Sequence, residues 1–429
     1  MFALKRADRA RNGLAAALAF ALAGASAAVA QAPEPNVPGR TVDELLVLAR
    51  RASPELAAMA LEAEASVARV EAAGELPDPL FRTEFENIDR RTGSLLPARL
   101  GMVTYTIAQE FPLWGKRDLR REAARAEADG AEARRRSVEG ELAMHVKAAF
   151  ANYYQANESI RITEELLRTF GAVVAATQLR YAQGRGPQQD AIKAEIERGQ
   201  IQADLARLGA ARKRAMAQLN ALLNRPAGAP LAAPRALRPL PPPESMPLVQ
   251  LLERVKQNNP GLAGERAQID GAERARRLVD RSWYPDVTAS LSAVDEDRRF
   301  AGYEALVEFR LPLRWGLREA QAREATAKLG AAQARLDAAS ARAQGELEEA
   351  YWALDASRRI ARILHETHIP QTQLAFQTAR AAYEVGRGEL VAVLEAERSV
   401  RQISLEHLNV LAEQQIRLAE IEKIIGGDL

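Results

Sequence analysis

Apolar positions along this chain keep two different periods, and the two alternate in a regular order. Between Leu113 and Gly186, small and apolar residues return at steps of four and three: Ala149, Tyr153, Ala156, Ile160, Thr163, Leu167, Phe170, Val174, Thr177 and Tyr181. That alternation is the mark of helices packed side by side. The stretch runs about 70 residues without a proline and is dominated by Ala, Arg, Glu, Leu and Gln, all strong helix formers. At 1.5 Å per residue it would reach roughly 100 Å, far beyond the three or four turns of an ordinary globular helix. The pattern predicts a rod, either one arm of a coiled coil or a strut of a tubular assembly.

A period of two appears in two pairs of shorter runs, Leu80 to Ile88 with Gly101 to Phe111, and Val287 to Val294 with Tyr303 to Leu311. Val103, Tyr105 and Ile107 face one way while Thr104, Thr106 and Ala108 face the other; Val307, Phe309 and Leu311 likewise oppose Leu306, Glu308 and Arg310. Runs of about ten residues of this kind suit a half-buried sheet or the wall of a bilayer β-barrel. Alternation alone favours the soluble sheet; the long rods and the export signal described below favour the barrel. Its lipid-facing candidates are Val103, Tyr105, Ile107, Val307 and Phe309. Four strands cannot close a barrel, and lipid tolerates no open edge. Several chains must then share one barrel, and three copies would supply twelve strands.

The order of elements repeats. Ser53-Pro54 is echoed by Asn259-Pro260, Pro77-Asp78-Pro79 by Tyr284-Pro285-Asp286, Phe111-Pro112-Leu113-Trp114-Gly115 by Leu311-Pro312-Leu313-Arg314-Trp315-Gly316, and Tyr181 to Gly186 by Tyr383 to Gly388. The first repeat is expected over 31–225: a leading helix from Thr41 to about Glu75, a hairpin over 80–111, a long helix over 113–183 and a return helix over 187–224. A proline-rich linker follows over 226–247. The second repeat, 248–429, is expected to hold a leading helix to about Trp283, a hairpin over 287–311, a long helix over 315–385 and a return helix over 389–425. Leading and return helices laid end to end match the long helix in each half. Pro370 should disturb the second rod and free a carbonyl.

Composition then changes the picture in two places. Residues 1–30 read as a secretory signal, with a basic start (Lys5, Arg6, Arg9, Arg11), an apolar run from Leu14 to Ala25, and Ala28-Val29-Ala30 as the cleavage site. The full chain carries 59 basic and 57 acidic residues. Removing the signal with its four basic groups and Asp8 leaves a nearly neutral chain, so nothing points to nucleic acid. Cysteine is absent, which excludes disulfides, thiolate metal sites, a cysteine nucleophile and a lipid anchor on an N-terminal Cys.

The two-fold repeat, the Phe111-Pro-Leu-Trp-Gly-Lys-Arg-Asp-Leu-Arg120 start of the first rod and the two Y-x-x-G turns resemble the TolC family of outer-membrane efflux ducts. The second turn, Tyr383-Glu384-Val385-Gly386 followed by Leu390-Val391-Ala392-Val393-Leu394-Glu395-Ala396, is similar to the family's Y-x-V-G and D-V-L-D-A. The resemblance covers about Thr41 to Gly427. It implies a mainly α fold, with a long α-helical barrel and four strands per chain completing a twelve-stranded β-barrel in a homotrimer. It also implies a place in the outer membrane of a Gram-negative bacterium, a long periplasmic extension, a periplasmic adaptor and an inner-membrane pump. The turns would form the periplasmic tip, making Gly184, Arg185, Gly186, Gly386, Arg387, Gly388 and Leu390 candidate adaptor contacts. Glu395, Arg387 and Asp190 are gate candidates. Ala392 replaces the first acid of D-V-L-D-A, and Pro187 stiffens the first turn, so any gate here departs from paired Asp rings. The Leu113-Trp-Gly-Lys-Arg-Asp-Leu-Arg-Arg-Glu-Ala-Ala124 segment is similar to partners of heavy-metal RND pumps, which implies cation export; drug efflux and type I secretion are the alternatives.

Candidate chemistry is sparse. His365-Glu366-Thr367-His368 places two His at i, i+3, a weak metal clip that lacks the spacing of H-E-x-x-H. No nucleophile elbow or phosphate loop is present in the sequence. The expectation is a duct without catalysis and without a cofactor. A soluble periplasmic adaptor or scaffold is the competing class; it should carry a Gly- and Val-rich lipoyl-like domain where this chain has short hairpins.

Overall fold

A computed structural model describes residues 37–88, 100–296 and 299–429. The expected signal over 1–30 lies outside the described residues. The chain from Pro38 onward holds nine α-helices and four strands in the described residues: α1 (Val42–Ala52), α2 (Pro54–Ala73), β1 (Leu80–Ile88), β2 (Leu100–Phe111), α3 (Lys116–Ala182), α4 (Gln188–Leu222), α5 (Leu248–Asn258), α6 (Pro260–Arg281), β3 (Val287–Glu296), β4 (Arg299–Phe309), α7 (Trp315–Ile363), α8 (Ile369–Glu384) and α9 (Leu390–Ile425). The fold is mainly α with a four-stranded antiparallel sheet.

The leading helix of each half is two helices, not one. Ser53 is extended, its hydroxyl accepts from the Leu56 amide at 3.2 Å, and Pro54 opens α2. Asn259 does the same for Leu262 at 2.9 Å, with Pro260 opening α6. A residue before proline is pushed out of the helical region, and Pro suits the first helical position, where its missing N–H has no intrahelical partner. The repeated Ser-Pro and Asn-Pro pairs are therefore helix breaks built as N-caps.

α3 runs 67 residues without interruption and packs against α2, α4, α6 and α9. Its four-three seam is buried at Ala149, Tyr153, Ala156, Thr163, Phe170, Val174 and Thr177, and half-buried at Ile160 and Leu167. Tyr181, last in the seam, stands 47% exposed, past the final core layer. Nearer the sheet, α3 and α6 approach on small residues: a Cβ added at Gly271 would meet Ala126 at 3.6 Å, and one at Gly264 would meet Ala133 at 3.7 Å. That spacing needs residues without bulk.

The second rod is interrupted. Leu364–His368 forms a π turn, in which the Ile369 amide reaches back five residues to the Leu364 carbonyl. Pro370 has no N–H to continue the ordinary ladder, and the wider turn absorbs the mismatch.

The sheet runs in the order β1-β2-β3-β4, every pair antiparallel. Cross-strand partners share a face. The register Phe81↔Ile107↔Leu291↔Ala305 and Phe111↔Val287↔Phe309 gathers Phe81, Phe85, Tyr105, Ile107, Leu291, Tyr303, Val307 and Phe309 on one face. The opposite face carries Arg82, Glu84, Glu86, Thr104, Thr106, Ser290, Ser292, Glu304 and Glu308. Two expectations are corrected. Val103 lies on the apolar face but is only 6% exposed, flanked in the register by Phe85 and Asp295, so it is not an open lipid-facing position. The expected 287–311 hairpin stops at Phe309; Leu311 lies beyond β4, where Pro312 cannot extend a ladder. No described helix is long and apolar enough to cross a membrane.

Candidate functional site at the turns joining the rods

Both Y-x-x-G turns are the same backbone device. α3 ends with the Gly184 amide bonded to the Tyr181 carbonyl and the Arg185 amide to the Arg180 carbonyl, at 2.9 and 2.8 Å. α8 ends with Gly386 to Tyr383 and Arg387 to Ala382, at 3.0 and 2.9 Å. This pair of bonds closes a helix when the residue after the cap turns left-handed. Gly184 and Gly386 do so, with φ of 68° and 79°. The second glycine of each turn serves close approach instead: a Cβ on Gly388 would sit 3.0 Å from the Ala382 Cβ and 3.1 Å from backbone atoms, and one on Gly186 would sit 3.3 Å from the Arg180 Cβ.

The turns are locked to each other. Arg180 donates from Nη1 to the Tyr383 carbonyl at 2.6 Å, and its guanidinium lies 4.6 Å from the centre of the Tyr383 ring. The Tyr383 hydroxyl donates to Asp190 Oδ2 at 3.4 Å. Burial, reinforced by the Asp190 charge, raises the tyrosine pKa and keeps that proton in place. Beneath them Phe170, Val174, Ala194, Ile201, Phe376, Val393 and Val400 form one core.

Among the expected adaptor contacts, Gly184, Arg185, Gly386 and Arg387 are exposed, while Gly186 and Gly388 are half-buried. Leu390 is corrected: at 1% exposure it belongs to the core beneath the turns, so it offers no surface to another protein. Of the gate candidates, Arg387 and Glu395 are exposed, whereas Asp190 is engaged by Tyr383. His365 stacks on His407 of α9 at 5.5 Å, His368 is exposed, and no cluster of three metal-ligating side chains occurs among the described residues. Burial, with the His365 charge adding to it, lowers the His407 pKa.

A charged cluster one layer deeper escaped the sequence reading. Glu197 of α4, 1% exposed, accepts from Arg398 Nε at 2.9 Å and Arg401 Nη2 at 3.1 Å, both on α9. Arg401 also lies 3.7 Å from Asp204 and 3.5 Å from Glu397. Glu397 is fully buried, and neither carboxylate oxygen has a hydrogen-bond donor. Burial pushes its pKa to about 7, the Glu197 charge pushing the same way and Arg401 opposing. Burial also raises Glu197, but the Arg398 hydrogen bond and the charges of Arg398 and Arg401 outweigh it and hold this carboxyl below its ordinary value. The available signal was the repeated Glu-Arg pair, Glu197-Arg198 and Glu397-Arg398.

The turn geometry makes a direct prediction. Gly386→Val forces a β-branched residue to positive φ and should cost roughly 1–3 kcal/mol. Gly171→Ala, in the α3 interior with open space around it, should instead gain up to about 1 kcal/mol. Thermal unfolding of the two purified variants, compared with the parent, checks both signs.

The comparisons with known proteins agree with this architecture. A family model described as outer membrane efflux protein matches residues 45–225 and 251–427, one segment in each half. The cobalt-zinc-cadmium resistance protein CzcC of Cupriavidus metallidurans is 27% identical over 395 residues, covering 90% of each chain. Among solved structures, the outer membrane protein VceC of Vibrio cholerae superposes with a TM-score of 0.77 at 19% identity, over 90% of this chain and 96% of that one. CusC, described in terms of transmembrane channel formation, gives 0.77 at 17% identity, over 92% and 96%. With the family match running through both repeats, the chain belongs to the outer membrane efflux protein family, and its work is that of an efflux channel.

Proposed function

We propose that this protein is the outer-membrane exit duct of a tripartite system exporting heavy-metal cations, working as a homotrimer with a periplasmic adaptor and an inner-membrane RND pump. The sheet carries the duct reading. One face is largely apolar and the other largely polar, with Leu80 and Leu306 as exposed apolar residues on the polar side, and the outer edges of β1 and β4 are unpaired in the single chain. Such a sheet is stable in lipid only when neighbouring copies close it into a ring. The polar face then lines water and Tyr105, Ile107, Val307 and Phe309 meet lipid. The rods extend into the periplasm and end at the paired turns, where Arg185 and Arg387 meet the adaptor. Arg387 and Glu395, each repeated three times around the axis, are the gate candidates. No group here needs to hold a metal tightly, because tight binding would slow release. Likeness to CzcC, whose name records cobalt, zinc and cadmium resistance, supports the cation cargo.

Deleting the gene in its host should raise sensitivity to cobalt, zinc, cadmium, nickel, copper or silver while leaving dyes and antibiotics unaffected. Growth on graded plates reads this out. Sensitivity confined to organic compounds would remove the cation reading and favour drug efflux.

A further inference from the structure

The inference rests on the trimeric reading and specifies how the copies join. Within the chain, the boundary between the two repeats is the β2–β3 pairing, with Phe111↔Val287, Glu110↔Thr288, Gln109↔Ala289 and Ala108↔Ser290. The same boundary continues into the rod. Trp114 donates from Nε1 to the Pro285 carbonyl at 2.9 Å, and Lys116 donates to the Tyr284 carbonyl and to Asp286, each at 2.8 Å. The outer edges, β4 and β1, carry the corresponding positions of the opposite repeats. The sequence landmarks align Phe111 with Leu311 and Pro285-Asp286 with Pro77-Asp78. Carrying the observed register across that alignment places Leu311 opposite Pro79, Arg310 opposite Leu80, Phe309 opposite Phe81 and Glu308 opposite Arg82 of the adjoining copy.

We propose that β4 of one copy pairs with β1 of the next in this register, with Glu308–Arg82 and Phe309–Phe81 as its directly opposed pairs. The side chains support it independently of the alignment. Phe309 and Phe81 are 59% and 63% exposed and lie on the apolar face, so their pairing continues that face across the junction. Glu308 and Arg82 are exposed on the polar face and are opposite in charge. Slipping the register by one residue would put apolar side chains on the polar face. Slipping it by two residues in one direction sets Glu308 against Glu84 and Arg310 against Arg82, two like-charge pairs, which are unfavourable when directly opposed. Slipping it by two in the other direction moves Glu304 from Glu86 to Glu84 and exchanges Glu308–Arg82 for Arg310–Asp78, so the charges balance alike; there the alignment and the loss of the Phe309–Phe81 pair decide.

The junction between copies also differs from the one inside the chain. At the rod, Leu317 stands where Lys116 stands in the first repeat, so Asp78 of the adjoining copy meets no lysine. On the strand, Arg310 replaces Glu110. Arg310 lies diagonal to that Asp78 in the proposed register, within the reach of a long side chain. The cation has moved from rod to strand, and the acid keeps a partner in both junctions.

The absence of native cysteine allows a clean test. The double variant Arg82→Cys/Glu308→Cys should form intermolecular disulfides on mild oxidation, giving covalent dimer and trimer bands on a denaturing, non-reducing gel. Glu84→Cys/Glu308→Cys and Leu80→Cys/Glu308→Cys report the two slipped registers and should cross-link at least tenfold more slowly. Preferential cross-linking of either slipped pair, in a protein that still runs as a native trimer, would overturn the register and leave the duct reading standing. Absence of cross-linking in all three, with a native trimer present, would overturn edge pairing through these strands. A monomer throughout would remove the trimeric reading as well.

Discussion

Replacing Glu422 by Ala is expected to cost roughly 3–5 kcal/mol, the range for breaking a buried ion pair and leaving its partners uncompensated. Glu422 is buried on α9 and gathers three donors. Lys147 of α3 reaches Oε2 at 2.7 Å, Arg238 of the proline-rich linker reaches Oε1 at 2.7 Å, and the Leu429 amide reaches Oε1 at 2.9 Å. One carboxylate thus ties rod, linker and C-terminal segment together. Its loss leaves Lys147, itself 7% exposed, with only Asp428 to hold it. Glu406, exposed on the same helix, supplies the control: its alanine variant should stay within about 0.5 kcal/mol of the parent. Denaturant unfolding in detergent measures both. Equal losses at the two positions would show that the network adds nothing beyond helix propensity.

Glu397→Gln should remove a pH dependence instead of causing a simple loss. The folded protein keeps the Glu397 proton to about pH 7, whereas the group releases it near 4.5 once exposed. Between those values the folded state binds more protons than the unfolded state. Stability therefore falls as pH rises through the window, by about 3 kcal/mol in full, and levels off above it. Glu197 acts in a separate window. Its lowered pKa contributes stability above the ordinary carboxylate range, and that contribution disappears only in acid. Glutamine keeps the shape of Glu397, carries no charge, and can donate to Glu197. The variant should be more stable than the parent at pH 8, with the gap closing toward pH 5. Parallel stability curves across that range would dispose of the buried-proton account.

The rods and the strand faces were legible because each rests on local periodicity, and the repeat because its landmark motifs recur in the same order. The Ala149–Thr177 seam is a repeat along one helix, and Tyr105, Ile107, Val307 and Phe309 alternate along single strands. The glycines of the two Y-x-x-G turns were legible for a similar reason, since positive φ is a demand of the local backbone. Other features depend on residues far apart in sequence. Leu390 follows a turn and reads as surface, yet it is buried in the same core as Phe170 and Tyr383. Glu397 looks like any helix-surface acid until α4 is laid against α9, where Glu197 pairs with Arg398 and Arg401. Ser53 and Asn259 were visible as repeat landmarks, but their meaning as helix breaks depends on the cap geometry that each adopts with the proline after it.

The π turn in the second rod has a consequence for phase. Before it, buried positions fall at Ala343, Leu347, Ala350, Leu354, Ser357, Ala361 and Leu364, in strict steps of four and three. Carried onward, that count would select Gln371, Ala375, Thr378 and Ala382. The side chains turned inward are instead Thr372, Phe376, Ala379 and Tyr383, each one place later. One surplus residue in the wide turn supplies that shift. It is equivalent to about 100° of helix rotation that the rod never has to make. The stripe continues straight along α9 although the numbering slips. Tyr383, which locks the two Y-x-x-G turns to each other, thus owes its inward orientation to a turn that ends at His368.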